Sequence, residues 1–143
     1  MSEPAPIKQV IVMRTDTNPP MRKGKMIAQG AHASMAFMTR RIQKIRDSVG
    51  ECIYHGDIWE FLGLTREMRE WVEGRFTKVC VRVDTEEELL KIYKEAVEAG
   101  LETHLITDSG QTEFGGQPTN TCLAIGPNQA DVIDRVTGHL RLL

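Results

Sequence analysis

A chain of 143 residues, 41% hydrophobic and 27% charged, can build one compact domain around its own core without disulfide or metal staples. Three cysteines without CxxC spacing (Cys52, Cys80, Cys122), no apolar run near the roughly 20 residues of a membrane span, and an N-terminus, MSEPAPIKQV, lacking a signal peptide's basic and apolar regions point to a reducing, cytoplasmic setting. Net charge is −2, yet residues 1–50 hold nine basic against three acidic side chains (+6) and residues 51–143 nine against seventeen (−8), the pattern of one basic face on an acidic body.

In chain order, residues 1–6 form a short proline-containing tail. Ile7–Arg14 is rich in β-branched residues and predicts a first, central strand. Asn18-Pro19-Pro20 breaks regular structure before Gly24 opens a long helix to about Arg46. Its residues Met26, Ile27, Ala28, Ala31, Ala33, Met35, Ala36, Met38, Ile42 and Ile45 predict a helix buried over much of its surface. Asp47–Gly63 reads as loop plus a short helical piece, and Thr65–Glu73 as a helix with Thr65 as N-cap. Phe76–Val83 alternates as a second strand. Asp84 or Thr85 caps the next helix, which has acids in its first turn, an apolar face of Leu89, Leu90, Ile92, Tyr93, Ala96 and Val97, and a stop at Gly100. Glu102–Thr107 predicts a third strand, Asp108–Asn120 a glycine-rich loop, Thr121–Ile125 a fourth strand, and Asn128–Thr137 a final helix before the tail GHLRLL. Cys80 and Cys122 fall in apolar strand-like runs, where buried free thiols are expected.

This order predicts an α/β fold: a three-layer α/β/α sandwich around a four-stranded mixed sheet, in a single domain. Long crossovers favour parallel pairing, and the loop between the third and fourth strands suits either a wide hairpin or a crossing.

Two polar clusters stand out. In GKMIAQGAHAS, Lys25, Gln29 and His32 are spaced i, i+4, i+7 and share one helical face among small residues. Lys25 stands in the first turn, where the helix dipole favours an anion, so a phosphate or carboxylate partner is implied. The bland alternative is a solvated Lys, a surface Gln and a packed His. The second cluster, Asp108–Thr121 (DSGQTEFGGQPTNT), follows the carboxyl end of the third strand, where open α/β sheets bind ligands. Asp108 could orient a base or a water, Thr112, Thr119 and Thr121 offer hydroxyls, and Gly110, Gly115 and Gly116 permit close backbone approach. Here the bland alternative is a surface turn begun by Asp108. The four histidines (His32, His55, His104, His139) lack HxxxH, HExxH or Cys/His spacing, so no metal site is expected, and no GxSxG or GxxxxGK[ST] motif signals a serine nucleophile or a nucleotide cofactor.

Together the clusters resemble a known family. RKGKMIAQGAHAS is similar to the GKxAAQxxHA signature of type-2 peptidyl-tRNA hydrolases, DSGQTEF…TCLAIGP to their DAGRTQ…TVLGIGP segment, and IDRVTGHLRLL to their C-terminal run. The EEELLKIYKEAVEAGL helix fits as well, so the likeness covers residues 7–143 apart from an expanded connection at about 46–74. Residue by residue, Lys25, Gln29 and His32 fall on the helix motif, Asp108 on the DAG aspartate, Thr112 on the threonine of the RT pair and Thr121 on the threonine before LxIGP. The resemblance implies hydrolysis, without cofactor, of the ester joining a peptide to the 3′ ribose of tRNA, with the lysine, the aspartate and the late threonine associated with catalysis. It also implies a homodimer. Arg22, Lys23, Arg40, Arg41 and Lys44 are the candidates for phosphate contact, and peptidyl-tRNA is the partner. Three departures stand beside the likeness: Gln111 replaces the usual arginine, the loop before Thr121 is one residue longer, and the Asp47–Gly74 connection is expanded. The rival readings are a tRNA- or protein-binding module that has lost activity, for which Gln111 speaks, and an unrelated small-molecule hydrolase. The joint presence of Lys25, Asp108 and Thr121 speaks for the enzyme.

Overall fold

The computed structural model describes residues 5–49 and 56–143. Its elements are β1 (Ile7–Arg14), α1 (Lys23–Val49), α2 (Ile58–Phe61), α3 (Arg66–Glu73), β2 (Lys78–Val83), α4 (Glu86–Glu98), β3 (Thr103–Asp108), β4 (Thr119–Gln129) and α5 (Ala130–Thr137). The strands form one mixed sheet in the order β2-β1-β4-β3, with β1 central as its composition implies. The crossover through α1 and α3 makes β1 and β2 parallel. β4 runs antiparallel to both β1 and β3, so the loop left open between hairpin and crossing is a wide hairpin.

Alternation along the strands divides the core into two layers. Val10, Val12, Leu123 and Ile125 point to one face, under Leu89, Ile92 and Ala96 of α4 and Ile133 and Val136 of α5. Ile11, Met13, Cys122 and Ala124 point to the other, under Ala33 of α1 and Phe114 of the β3–β4 loop. Phe37 of α1 extends that second face toward Met68 and Trp71 of α3. This is the expected three-layer sandwich. A buried polar bridge fixes α1 upon it: the Gln9 amide donates to the Ser34 carbonyl (2.9 Å) and the Ser34 hydroxyl donates to Gln9 Oε1 (2.5 Å).

Caps fall where the side chains allow. Thr65 and Thr85 accept from the backbone N–H groups of Met68 and Glu88, closing the first turns of α3 and α4. Several expected boundaries and faces differ. β2 begins at Lys78 and not at Phe76, whose left-handed backbone (φ 60°) cannot continue a pleat. β3 extends one residue further, so Asp108 is the strand's last residue and not a loop residue. β4 is eleven residues long and passes through Gly126-Pro127 because a register shift against β1 absorbs the irregularity, which delays α5 to Ala130. On α4, Leu90 and Val97 are exposed because the buried stripe is the narrower set Leu89, Ile92 and Ala96. Cys122 is buried as expected, but Cys80 is exposed, lying on β2 between the inward-facing Val79 and Val81. The tail GHLRLL pairs with the β2 edge: Arg82 N–H donates to the Arg141 carbonyl and Leu143 N–H to that of Cys80.

α1 is the largest departure. Only one side of it meets the sheet, so Ile27, Met35 and Ile42 remain 72%, 59% and 51% exposed instead of buried. Residues 1–4 of the expected tail lie outside the described residues. So do residues 50–55 of the expected 47–63 loop, with Cys52 and His55.

Candidate active site

The two polar clusters meet. Asp108 ends β3 and Lys25 sits in the first turn of α1, and the Lys25 ammonium lies 2.9 Å from Asp108 Oδ1 with both side chains 13% exposed. Gln29, one turn further along α1, is buried and donates from Nε2 to the same Oδ1 at 3.3 Å. Its Oε1 accepts from the buried Thr121 hydroxyl at 2.5 Å. A carboxylate can only accept, so Asp108 fixes which end of the Gln29 amide faces it, and Thr121 completes the chain of bonds Thr121→Gln29→Asp108.

The bulge in the β3–β4 hairpin makes this chain reachable. Ile106 pairs with Cys122 and Thr107 with Asn120, which leaves Thr121 as an extra residue on β4. In a regular strand, neighbours face opposite sides of the sheet. Here Thr121 and Cys122 both turn to α1, the Cys122 thiol donating to the Gln29 carbonyl at 3.3 Å. A register irregularity of this kind leaves no mark in the sequence. The other support of Asp108 comes from its own loop: Gly110 N–H donates to Oδ2 at 2.9 Å. Gly110 has φ +80°, and a Cβ there would lie 2.1 Å from the Gln117 carbonyl oxygen, so glycine is needed at this turn.

The electrostatics follow from these bonds. The Lys25 hydrogen bond, then those from Gly110 and Gln29, hold the Asp108 carboxyl below the usual range against the opposing effect of burial, so it is ionised at neutral pH. Oδ1 accepts two bonds and Oδ2 one, leaving one of about four acceptor positions on the carboxylate for a further donor. Lys25 also donates to Thr112 Oγ1 at 3.2 Å and lies 5.7 Å from the centre of the Phe114 ring, which leaves its third N–H for a ligand. Burial pushes the Cys122 thiol up to about 12, so this sulfur, bonded to the Gln29 carbonyl, stays protonated and is a poor nucleophile.

A cleft of about 330 Å³ opens beside Asp108. Gln29, His32, Ala36 and Arg40 of α1 line one wall, and Ile106, Thr107 and Asp108 of β3 the other. His32 is exposed on that wall, in line with Gln29. Of the basic candidates, Arg22, Lys23 and Lys44 are exposed. Arg40 bonds to His104 Nδ1 and the Leu105 carbonyl, whereas Arg41 is committed to Glu102 through contacts of 2.8 and 3.1 Å. Gln111 is exposed and Thr119 bonds within its own loop, to the Gln117 carbonyl. Glu102 and His104, absent from the sequence-based candidates, lie beside the far end of the cleft. The alternation of β3 could have flagged them as partners of Arg40 and Arg41, since a Glu and a His two residues apart face the same side of a strand.

Known proteins resemble the chain over nearly its whole length. The family model described as Peptidyl-tRNA hydrolase PTH2 matches residues 7–143. A peptidyl-tRNA hydrolase of Methanocaldococcus jannaschii is 37% identical over 139 residues, covering 96% of this chain and all of its own. That of Methanothermobacter thermautotrophicus is 38% identical over 137 residues, with the same coverage of both chains. A probable peptidyl-tRNA hydrolase 2 of Drosophila melanogaster is 37% identical over 136 residues, 95% of this chain and 61% of its own.

The two described thiols should separate by reactivity. Brief treatment of the native protein with iodoacetamide at pH 8, read by peptide mass mapping, should modify the exposed Cys80 and spare Cys122. Labelling of both at equal rates would contradict the protonated, inaccessible state of Cys122.

Proposed function

The chain belongs to the peptidyl-tRNA hydrolase PTH2 family and is a peptidyl-tRNA hydrolase; from that premise we propose that Asp108 and Lys25 carry out the hydrolysis directly, without a covalent intermediate. The observation that carries this reading is the 2.9 Å contact between them, made across the two clusters and backed by Gln29 and Thr121. The substrate is the ester between the peptide's C-terminal carbonyl and the ribose at the tRNA 3′ end. A water bound at the remaining acceptor position of Asp108 attacks the carbonyl carbon, and the carboxylate orients it and takes its proton. The lysine's third N–H stabilises the oxyanion that forms on the carbonyl oxygen. Collapse of the tetrahedral intermediate expels the ribose oxygen, which leaves as a hydroxyl after receiving a proton. His32, exposed on the cleft wall, is suited to orient that ribose or to deliver the proton. Gln29 and Thr121 act as positioning residues, because each is buried and bonded within the protein. Thr112 steadies the lysine.

The tRNA is held by charge and shape. Arg22 and Lys23 flank the N-terminus of α1, which has no acidic residue in its first turn and so favours a phosphate. Arg40 and Lys44 continue the basic character along the same helix. The grip of Glu102 on Arg41 argues that this side chain contributes less than its neighbours. Residues 7–143 are read as the catalytic unit and 46–74 as an appended connection. No helix among the described residues is long and apolar enough to cross a membrane; the cytoplasm, where translation turns over tRNA, is the proposed setting.

A homodimer is proposed on a different observation. Core and cleft occupy two sides of α1, and the third carries Ile27, Ala31, Met35 and Ile42 along one stripe, all solvent-exposed. A second copy packed on this stripe would cover it and leave both clefts open.

Release of labelled N-acetyl-aminoacyl groups from tRNA should fall by about 10²–10⁴ in Asp108→Asn and by a comparable factor in Lys25→Ala, with tRNA still bound. Full turnover in either variant would remove that residue from the chemistry, and tRNA binding without turnover by the native protein would favour the binding module. Met35→Glu should shift the native protein from dimer to monomer in sedimentation velocity; an unchanged mass would exclude the stripe as the interface.

A further inference from the structure

Arg40 and Arg41 are neighbours on α1 with opposite fates. Arg41 is neutralised by the paired contacts with Glu102. Arg40 donates from Nη1 to His104 Nδ1 (2.9 Å) and from Nη2 to the Leu105 carbonyl (2.8 Å), so neither of these partners carries a negative charge. A guanidinium is a donor only, hence Nδ1 of His104 must be the acceptor and the ring proton must sit on Nε2. That proton has its own partner, Glu102 Oε2 at 2.6 Å. The His104 hydrogen bond and the Arg41 guanidinium together hold the Glu102 carboxyl at about 2, so the acceptor that fixes the tautomer is ionised at neutral pH. The result is a chain, Arg41–Glu102–His104–Arg40, that ends in a guanidinium on the wall of the cleft. A bare arginine side chain has several freely rotating bonds, and holding it in one geometry removes an entropic cost from ligand binding.

We propose that His104, in the tautomer set by Glu102, is a positioning residue that aims Arg40 across the cleft as a clamp for a phosphate of the bound tRNA strand. Arg40 stands eleven residues beyond Gln29 on α1, ~16 Å at 1.5 Å per residue. That reach is on the order of five stacked nucleotides at ~3.4 Å each. The clamp therefore grips the strand several nucleotides from the scissile ester and supports affinity without touching the chemistry. This rests on the reading of the cleft as the tRNA site.

The test is a double-mutant cycle on steady-state hydrolysis of N-acetyl-aminoacyl-tRNA, with salt dependence measured for each protein. Arg40→Ala should raise KM by about tenfold with kcat unchanged, the effect of one charge-assisted hydrogen bond, and lower the slope of log kcat/KM against log salt by about 0.7. His104→Phe should raise KM in the same direction at unchanged kcat. His104→Asn, whose amide oxygen can replace Nδ1 as acceptor, should recover most of the loss. In the Arg40→Ala background, His104→Phe should have no further effect. A His104→Phe protein that is less heat-stable but has native KM, or whose effect adds fully to that of Arg40→Ala, overturns the positioning role. Native KM and salt slope in Arg40→Ala would overturn the clamp itself. Failure of the hydrolase mechanism is distinguishable, because it would appear as turnover by Asp108→Asn and not in this cycle.

Discussion

A half-buried carboxylate and ammonium held 2.9 Å apart are costly to bring out of water unless further hydrogen bonds complete the site. The Lys25–Asp108 pair joins positions 83 residues apart, and much of the local architecture exists to complete it. Gln29 must approach closely enough to donate to Asp108, which requires α1 to lie tight on the sheet; the Gln9–Ser34 bridge holds it there. Thr121 must face the same helix as Cys122, which requires the bulge opposite β3. Gly110 must take a left-handed turn so that its N–H returns to Oδ2. Each of these supports is buried or locked in backbone, whereas Lys25 and Asp108 retain unused hydrogen-bonding positions and Asp108 lines the cleft.

The same economy of surfaces governs α1. One side packs on Ile11, Met13 and Ala124, a second lines the cleft with Gln29, His32, Ala36 and Arg40, and the third exposes the apolar stripe. A 27-residue helix with three differently occupied sides carries no simple hydrophobic stripe, which explains why it looks buried over most of its surface when only the residue types are counted. The cleft side carries Gln29, His32 and Arg40 along this one helix, so the residues proposed for chemistry and for strand binding share a single element.

Much of this was legible in the chain. The strand at Ile7–Arg14, the Thr65 and Thr85 caps and the mixed four-stranded sheet follow from local patterns and element order, whereas Lys25, Gln29, Asp108 and Thr121 are tied into one site by the family resemblance alone. What was not legible depends on contacts between distant segments. The length of β4 beyond Gly126-Pro127 is set by pairing with β1, and the exposure of Cys80 by the edge position of β2. The left-handed Phe76 lies outside β2, although its apolar side chain marks it by residue type as the start of the strand. The Glu102–His104–Arg40 chain escaped notice because two ordinary surface-type residues acquire meaning only when α1 brings an arginine to them.

The account turns on Asp108 being the ionised group that acts on water, and the pH dependence of single-turnover hydrolysis at saturating enzyme tests this most directly. Because its carboxyl is held below the usual range, the competent charged form persists as pH falls through the ordinary carboxylate region and is lost only below it. The rate should therefore show no acid limb through the neutral range or the upper part of the ordinary carboxylate range, with loss only at more acid pH. An acid limb in the neutral range that vanishes in His32→Asn would contradict the role of Asp108 and transfer the base to His32.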